Sequence, residues 1–303
     1  MVARHTPSSA AGALAVDLTV ELCGTTLTTP LMPAAGTFSK EMLGEASGVY
    51  GAILPKTVTP RPRTGNPPPR VAEAPSGMVN SIGLQNPGLE NFLKSLGDYD
   101  VGLPLIVSVA ADTIGEFAAV CERLSSDGRV AAVELNLSCP NVEHGGLQFC
   151  AGPVAVTEVV GACRAVLPVK PLLVKLTNEG VVRNSLAAEE AGADALTLIN
   201  TVPALVVNAR ERKVFLRGGL SGPAIKPVAL RAVYEVSRVV GIPVVGAGGA
   251  ASGTDIAEFM LAGAAAVQIG AGSFVREPRL ALEEFAAYLR ENGLRARDLT
   301  GLL

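Results

Sequence analysis

In the run Val133-Glu134-Leu135-Asn136-Leu137-Ser138-Cys139-Pro140-Asn141, one cysteine stands between two amides where an apolar run meets a proline. Val130 to Leu137 alternates apolar and small residues, with β-branched Val133 inside, and reads as a strand. Pro140 has no N–H and cannot continue a central strand. Cys139 is therefore placed where a buried strand turns into a loop. Asparagine is depleted in strands, yet Asn136 and Asn141 flank this exit. An amide both donates and accepts, so the pair suits a ligand edge that alternates C=O and N–H. The competing reading is a small buried apolar residue, the common fate of a free cysteine.

Other residues point to the same place. Gly246-Ala247-Gly248-Gly249 and Gly270-Ala271-Gly272-Ser273 each close an apolar run. Glycine lets backbone N–H groups approach an anion closely, so the two loops suit the phosphate of a cofactor or substrate. Lys56 and Lys175 also sit at strand ends, and lysine is rarely buried unpaired. Each should meet an anion or an electron-rich ring. Asn80, Asn136, Asn141 and Asn200, the last followed by Thr201, recur at one level. Together they make a polar site for a small planar ligand with amide groups. His144 follows Cys139 by five residues, before Gly145-Gly146. It allows either a Cys–His pair or a glycine-hinged lid, and the lid is the preferred reading.

These residues need a scaffold with many strand ends at one face. Short apolar runs are found at Leu31–Ala35, Tyr50–Pro55, Leu105–Ala110, Val130–Leu137, Leu172–Thr177, Ala195–Asn200, Pro243–Gly248 and Ala265–Gly270. A hairpin over Leu18–Thr28 precedes them. Helical segments alternate with them, at Ser39–Ala46, Pro87–Leu96, Thr113–Ser125, Pro153–Val166, Val182–Ala191, Lys226–Val239, Ser252–Leu261 and Pro278–Glu291. Eight alternations with near-continuous apolar strands predict an α/β fold, a (β/α)8 TIM barrel. Thr57–Asn86 and Pro203–Pro223 are predicted as long loops at the C-terminal face of the strands, where barrel enzymes place their sites.

Composition narrows the function. Hydrophobic residues make 49% of the 303, charged ones 17%, and there are 33 glycines, which suits a large core with tight turns. The net charge is −3 with no basic block, so neither nucleic acid nor a membrane surface is an expected partner. No apolar run reaches the ~18 residues of a spanning helix. Residues 1–17 read as a flexible tail with no secretory signal, and residues 18–303 as one domain. The five cysteines, 23, 121, 139, 150 and 163, show no C-x-x-C spacing. Neither a disulfide framework nor a metal site is expected, and a reducing cytoplasm fits.

Four motifs in register carry a resemblance. They are Asn80-Ser81-Ile82-Gly83-Leu84-Gln85-Asn86-Pro87-Gly88, Asn136 to Asn141, Ile199-Asn200-Thr201, and Gly218-Gly219-Leu220-Ser221-Gly222-Pro223-Ala224-Ile225-Lys226-Pro227. The chain resembles class 1 dihydroorotate dehydrogenases from about Leu18 to Phe274. Lys56-Thr57 and the Arg63–Arg70 segment look most like the B-type, NAD-linked catalytic subunit. The resemblance implies an FMN barrel that oxidises dihydroorotate to orotate in pyrimidine biosynthesis. It implies FMN contacts from Ala35, Gly36, Lys56, Thr57, Ser108, Asn136, Lys175, Ile199, Ser221, Gly222, Gly248, Gly249, Gly270 and Ala271. It implies substrate contacts from Lys56, Asn80, Ser81, Ile82, Gly83, Leu84, Asn136, Asn141, Asn200 and Thr201. Cys139 falls on the family's catalytic base. Ala35 stands where many members have serine, and Ser108 where many have asparagine.

The implied chemistry is proton removal from C5 by the Cys139 thiolate and hydride transfer from C6 to FMN. An unperturbed thiol titrates near ~8.5, so the reaction is expected to favour alkaline pH. The eight units leave no second nucleotide fold, and the cysteines lack iron–sulfur spacing. The resemblance therefore implies a separate FAD and iron–sulfur electron-transfer subunit, in a heterotetramer around a homodimer core. The alternatives are a fumarate-linked A-type enzyme, a dihydropyrimidine dehydrogenase-type flavin oxidoreductase, and a non-catalytic sensor barrel for a phosphorylated ligand.

Overall fold

A computed structural model describes residues 16–137 and 147–303. The predicted tail up to residue 15 lies outside the described residues, as do Cys139, Asn141 and His144.

The chain enters through a hairpin of β1 (Val20–Leu22) and β2 (Thr25–Leu27), followed by β3 (Leu31–Pro33). A second hairpin, β4 (Val71–Ala74) and β5 (Gly77–Asn80), precedes helix α1 (Leu89–Lys94). Strands and helices then alternate: β6 (Ile106–Val109), α2 (Ile114–Ser125), β7 (Ala132–Asn136), α3 (Pro153–Val166), β8 (Leu172–Leu176) and α4 (Val181–Glu190). β9 (Ala195–Leu198) leads into β10 (Val202–Asn208) and β11 (Lys213–Ser221). α5 (Lys226–Val236), β12 (Val244–Ala247), α6 (Gly253–Leu261), β13 (Ala264–Ile269) and α7 (Pro278–Asn292) complete the order.

The central sheet is parallel and seven-stranded, in the order β3-β13-β12-β9-β8-β7-β6. β6, β7, β8, β9 and β12 are buried at every residue, as strands covered on both faces must be. Their branched residues pack against helix faces. Val156, Val159, Val160 and Cys163 of α3 and Ile256, Phe259 and Met260 of α6 are sequestered there.

The predicted strand at Tyr50–Pro55 is a correction: the segment forms no regular strand and holds an isolated parallel bridge, Ile53 with Leu105. Gly51 N donates to Leu31 O at 2.9 Å, Ile53 N to Pro104 O at 2.9 Å, and Ile106 N to Ile53 O at 3.0 Å. Farther on, Val58 N donates to Ser108 O at 2.8 Å. The segment thus bonds to the two outer strands of the sheet in turn without a regular ladder. The predicted helix over Ser39–Ala46 is a 3-10 helix over Lys40–Glu45.

The two predicted long loops are a correction. They pair with one another as an antiparallel sheet in the order β10-β11-β5-β4. Val202–Asn208 alternates half-buried and exposed along its whole length, the period of a one-sided strand. Loop-like prolines and glycines concealed that period. The glycines serve close approach: a Cβ on Gly218 would lie 2.1 Å from Asn80 O. β11 crosses back to pair Gly219 with Asn80 and Ser221 with Met78.

Candidate active site at the strand ends

A cavity of about 360 Å³ opens at the C-terminal ends of the parallel strands. That volume is within the usual range for a small-molecule site. Its walls combine three sources: residues at or just beyond the ends of β3, β7, β8, β9, β12 and β13, the β4–β5 hairpin with the chain that follows it, and the turn after β11.

On the β12–β13 side the wall is backbone. Gly248 and Gly249 adopt φ of +114° and +93°, and Gly222 after β11 has φ of +93°. Gly270 and Ala271 adjoin them. A Cβ on Gly270 would find Ala34 Cβ at 3.4 Å, an ordinary contact, whereas one on Gly249 would lie 2.7 Å from Lys226 N. Gly249 therefore answers to packing as well as to the cavity. A run of small residues with left-handed backbone makes a concave cradle of the kind that holds an oxyanion.

Lys226 ties the start of α5 to the start of α6. Its Nζ bonds Asp255 Oδ1 at 2.5 Å and Glu258 Oε2 at 2.7 Å. Asp255 Oδ2 accepts from Ala251 N and Ser252 N, both at 2.9 Å, and Ser252 Oγ accepts from Asp255 N, a capping box. Burial works against the Asp255 charge, but the Lys226 bond and the backbone donors outweigh it and hold the carboxyl below the usual range. A depressed carboxyl stabilises the fold fully above the unfolded-state value near ~4 and loses that contribution as pH falls through the folded one. Asp255→Asn is expected to cost about 1–2 kcal/mol at pH 7, a drop of several degrees in Tm. Thermal melts from pH 7 to pH 3 should show the gap narrowing toward the acid end.

The opposite wall carries side chains. Lys175, at the end of β8, is 5% exposed, while Lys56 is exposed at the mouth. Lys175 Nζ donates to Gln268 Oε1 at 2.8 Å. Asn200 Nδ2 donates to Asn136 Oδ1 at 3.1 Å, and Thr201 N donates to Asn200 Oδ1 at 2.8 Å. These bonds fix the two amides edge to edge. Asn80 stands across the cavity on β5.

The residues singled out from sequence divide clearly. Ala35, Gly36, Lys56, Thr57, Asn136, Lys175, Ile199, Ser221, Gly222, Gly248, Gly249, Gly270 and Ala271 all line the cavity, as do Asn80, Ile82, Leu84, Asn200 and Thr201. Ser108, Ser81 and Gly83 stand behind the wall. Ser108 Oγ lies 2.9 Å from Thr57 Oγ1, and Ser81 Oγ accepts from Asn66 Nδ2 at 2.9 Å. A Cβ on Gly83 would press on Asn66 at 2.6 Å. Cys139 and Asn141 follow β7 in sequence but lie outside the described residues. Sequence reasoning missed Thr37, Arg70, Val71, Met78, Gln85, Ile225 and Phe274, which also line the cavity. Only the pairing of β5 with β11 brings Met78 there, and no local pattern announces it.

Three of the other cysteines are held as protonated thiols by their surroundings. Burial pushes the Cys23 and Cys150 thiols up to about 12. A hydrogen bond with Cys163, then burial, raises Cys121. None of the four lines the cavity.

Comparison with known proteins identifies the family of the chain. The family model described as dihydroorotate dehydrogenase matches residues 17–284. The dihydroorotate dehydrogenase B (NAD(+)) catalytic subunit of Geobacter sulfurreducens is 43% identical over 304 residues, 95% of this chain and 98% of its own. That of Thermoanaerobacter pseudethanolicus is 46% identical over 275 residues, 86% and 89%. The crystal structure of DHODH from Eimeria tenella in complex with ferulenol shares the fold, with a TM-score of 0.82 and 23% identity over 94% of this chain and 88% of that one. The chain belongs to the dihydroorotate dehydrogenase family.

Proposed function

We propose that this chain oxidises dihydroorotate to orotate, with FMN seated in the cavity and electrons leaving to NAD through a partner subunit. The observation that carries the reading is the pairing, in one cavity, of a glycine cradle with a buried lysine and an amide pair. The cradle fits a phosphate, because small residues with left-handed backbone leave room for an anion against N–H groups. The lysine and the amides fit a ring edge that alternates carbonyl and N–H. Bound FMN supplies a hydride acceptor.

The chain's own residues would do the rest. Gly248, Gly249, Gly270 and Ala271 anchor the phosphate, with Ser221 and Gly222 beside them. Ala35, Gly36, Thr57 and Ile199 enclose the ring. Lys175 supplies positive charge where negative charge develops, an electrostatic effect that grows in a dry site. Lys56 faces the substrate carboxylate at the mouth. Asn80, Asn136 and Asn200, joined by Asn141, orient the dihydropyrimidine ring so that C5 and C6 are held for reaction. Cys139 takes the C5 proton onto sulfur. Ser108 acts through Thr57, whose hydroxyl it meets. Hydrogen bonds from the 51–58 segment to both outer strands support closure of the sheet into an eight-stranded barrel around this floor.

The B-type reading, with an FAD and iron–sulfur partner on a homodimer core, is supported by relatives named as the catalytic subunit of the NAD(+) enzyme. Anaerobic addition of dihydroorotate to the purified yellow chain is expected to bleach its visible bands. The chain alone should then reduce an artificial dye but neither NAD nor fumarate. Rapid fumarate reduction would assign it to the A-type, and direct NAD reduction would remove the partner. A colourless protein that still binds phosphorylated ligands would leave the sensor reading.

A further inference from the structure

Beneath the cavity floor lies a charge that the proposed reaction does not use. Glu134 is wholly buried on β7, two residues before Asn136, so both side chains take the same face of the sheet. Its Oε2 accepts from Thr197 Oγ1 on β9 at 2.8 Å and from Gln268 Nε2 on β13 at 2.7 Å. Its Oε1 has no hydrogen bond among the described residues and stands 4.0 Å from Lys175 Nζ. Gln268 Oε1 accepts from that same ammonium at 2.8 Å. The Gln268 amide therefore has one workable orientation, nitrogen toward the carboxylate and oxygen toward the lysine.

A pair kept only for stability would be built differently. Charged partners close to about 2.7–2.9 Å when nothing intervenes. Here the carboxylate is held back and one oxygen has no hydrogen bond among the described residues, which is costly in a dry interior. Apolar residues of similar volume fill such positions at no electrostatic cost. What the arrangement achieves is to hold the lysine. Side chains from β7 and β13 face this ammonium on β8, and Thr197 of β9 holds the carboxylate behind them.

We propose that Glu134 is a positioning residue. Through Gln268 it tethers the Lys175 ammonium toward the barrel interior and so limits how strongly that lysine stabilises negative charge in the cavity. This rests on the FMN reading above. Releasing the tether lets the ammonium advance toward the cavity, and it also removes a negative charge from beneath it. Both effects favour the reduced cofactor.

The test is the reduction potential of FMN in the reconstituted holoprotein, measured anaerobically against reference dyes, with thermal melts to verify folding. Glu134→Gln keeps the side-chain shape and an acceptor for Gln268 but removes the negative charge behind the ammonium, and it is expected to shift the reduction equilibrium at least tenfold toward the reduced form, about 30 mV for a two-electron couple. In a Lys175→Met background the same substitution should shift it less than threefold, because coupled residues are not additive. Glu134→Asp keeps the charge but withdraws the carboxylate by one carbon–carbon bond, about 1.5 Å, beyond reach of Gln268. It is expected to shift the equilibrium at least threefold in the same direction, and it serves if the Gln variant does not fold. An unchanged or lowered potential in either variant would overturn the proposal. So would an undiminished shift in the Lys175→Met background, or an Asp variant at the parent potential. Parent protein that takes up no FMN would instead remove the cofactor reading on which the proposal rests.

Discussion

Cys139→Ala is expected to bind FMN and orotate as the parent chain does, and to lose ~10²–10⁴-fold in the rate of flavin reduction by dihydroorotate, the range of a general base. The cavity wall supports the first half. The cradle, Lys175 and the Asn136–Asn200 pair are built from strand ends and turns among the described residues, with Asn200 bonded to Asn136 directly. The second half follows from the lack of a substitute thiol. Cys23, Cys121 and Cys150 are raised by their surroundings, and none of the described cysteines lines the cavity. The parent rate should climb with pH as a thiol near ~8.5 ionises, and Cys139→Ala should flatten that climb. Stopped-flow mixing of oxidised holoprotein with dihydroorotate, from pH 6 to pH 10, reads both quantities. Near-normal reduction by the Ala variant would pass the role of base to another group, His144 first among them.

Gly249→Leu is expected to lower Tm by about 10 °C or more, and not merely to empty the cofactor site. A φ of +93° costs a branched residue about 1–3 kcal/mol. The new Cβ would lie 2.7–2.8 Å from Lys226 N and Cα, which are backbone atoms at the start of α5 and cannot rotate away. Overpacking of this kind adds about 1–3 kcal/mol. In a chain of this size each kcal/mol moves Tm by ~2–4 °C. Gly270→Ala is the counterpart that separates the fold from the ligand. Its methyl would meet Ala34 at 3.4 Å without overlap, so Tm should stay within a few degrees. FMN affinity should nonetheless fall at least tenfold, because the methyl narrows the cradle. Calorimetry of the apoproteins and fluorescence titration with FMN distinguish the two. Full FMN occupancy and parent stability in Gly249→Leu would contradict both the packing argument and the cradle.

The alternation of strand and helix, and the family, are legible in the amino-acid order alone. So is nearly all of the cavity wall that belongs to strand ends. Those features are local. A buried parallel strand is a short apolar run, and a turn that must pass close to an anion is marked by glycine. The wall residues at 136, 175, 199, 248 and 270 each sit at or just beyond such an end, so spacing alone finds them.

The roles of the two proline- and glycine-rich stretches emerge from the folded chain. Each folds as a local hairpin, β4 with β5 and β10 with β11, and the two hairpins join into one sheet where Gly219 meets Asn80, more than a hundred residues away, so no window of local sequence contains the whole sheet. That pairing carries Met78 into the wall, with Val71 and Arg70 at the same hairpin. The structure also separated Ser108, Ser81 and Gly83, which support the wall, from residues that form it. A motif specifies side-chain identity but not which way the backbone turns each side chain. The same limit applies to Glu134. In sequence it is one charged residue in an apolar strand. In the fold it meets Thr197 and Gln268 from two other strands and faces Lys175 from a third. Its meaning arises from that convergence, because a buried charge acquires its energy and its effect from partners that only the packing of the sheet can supply.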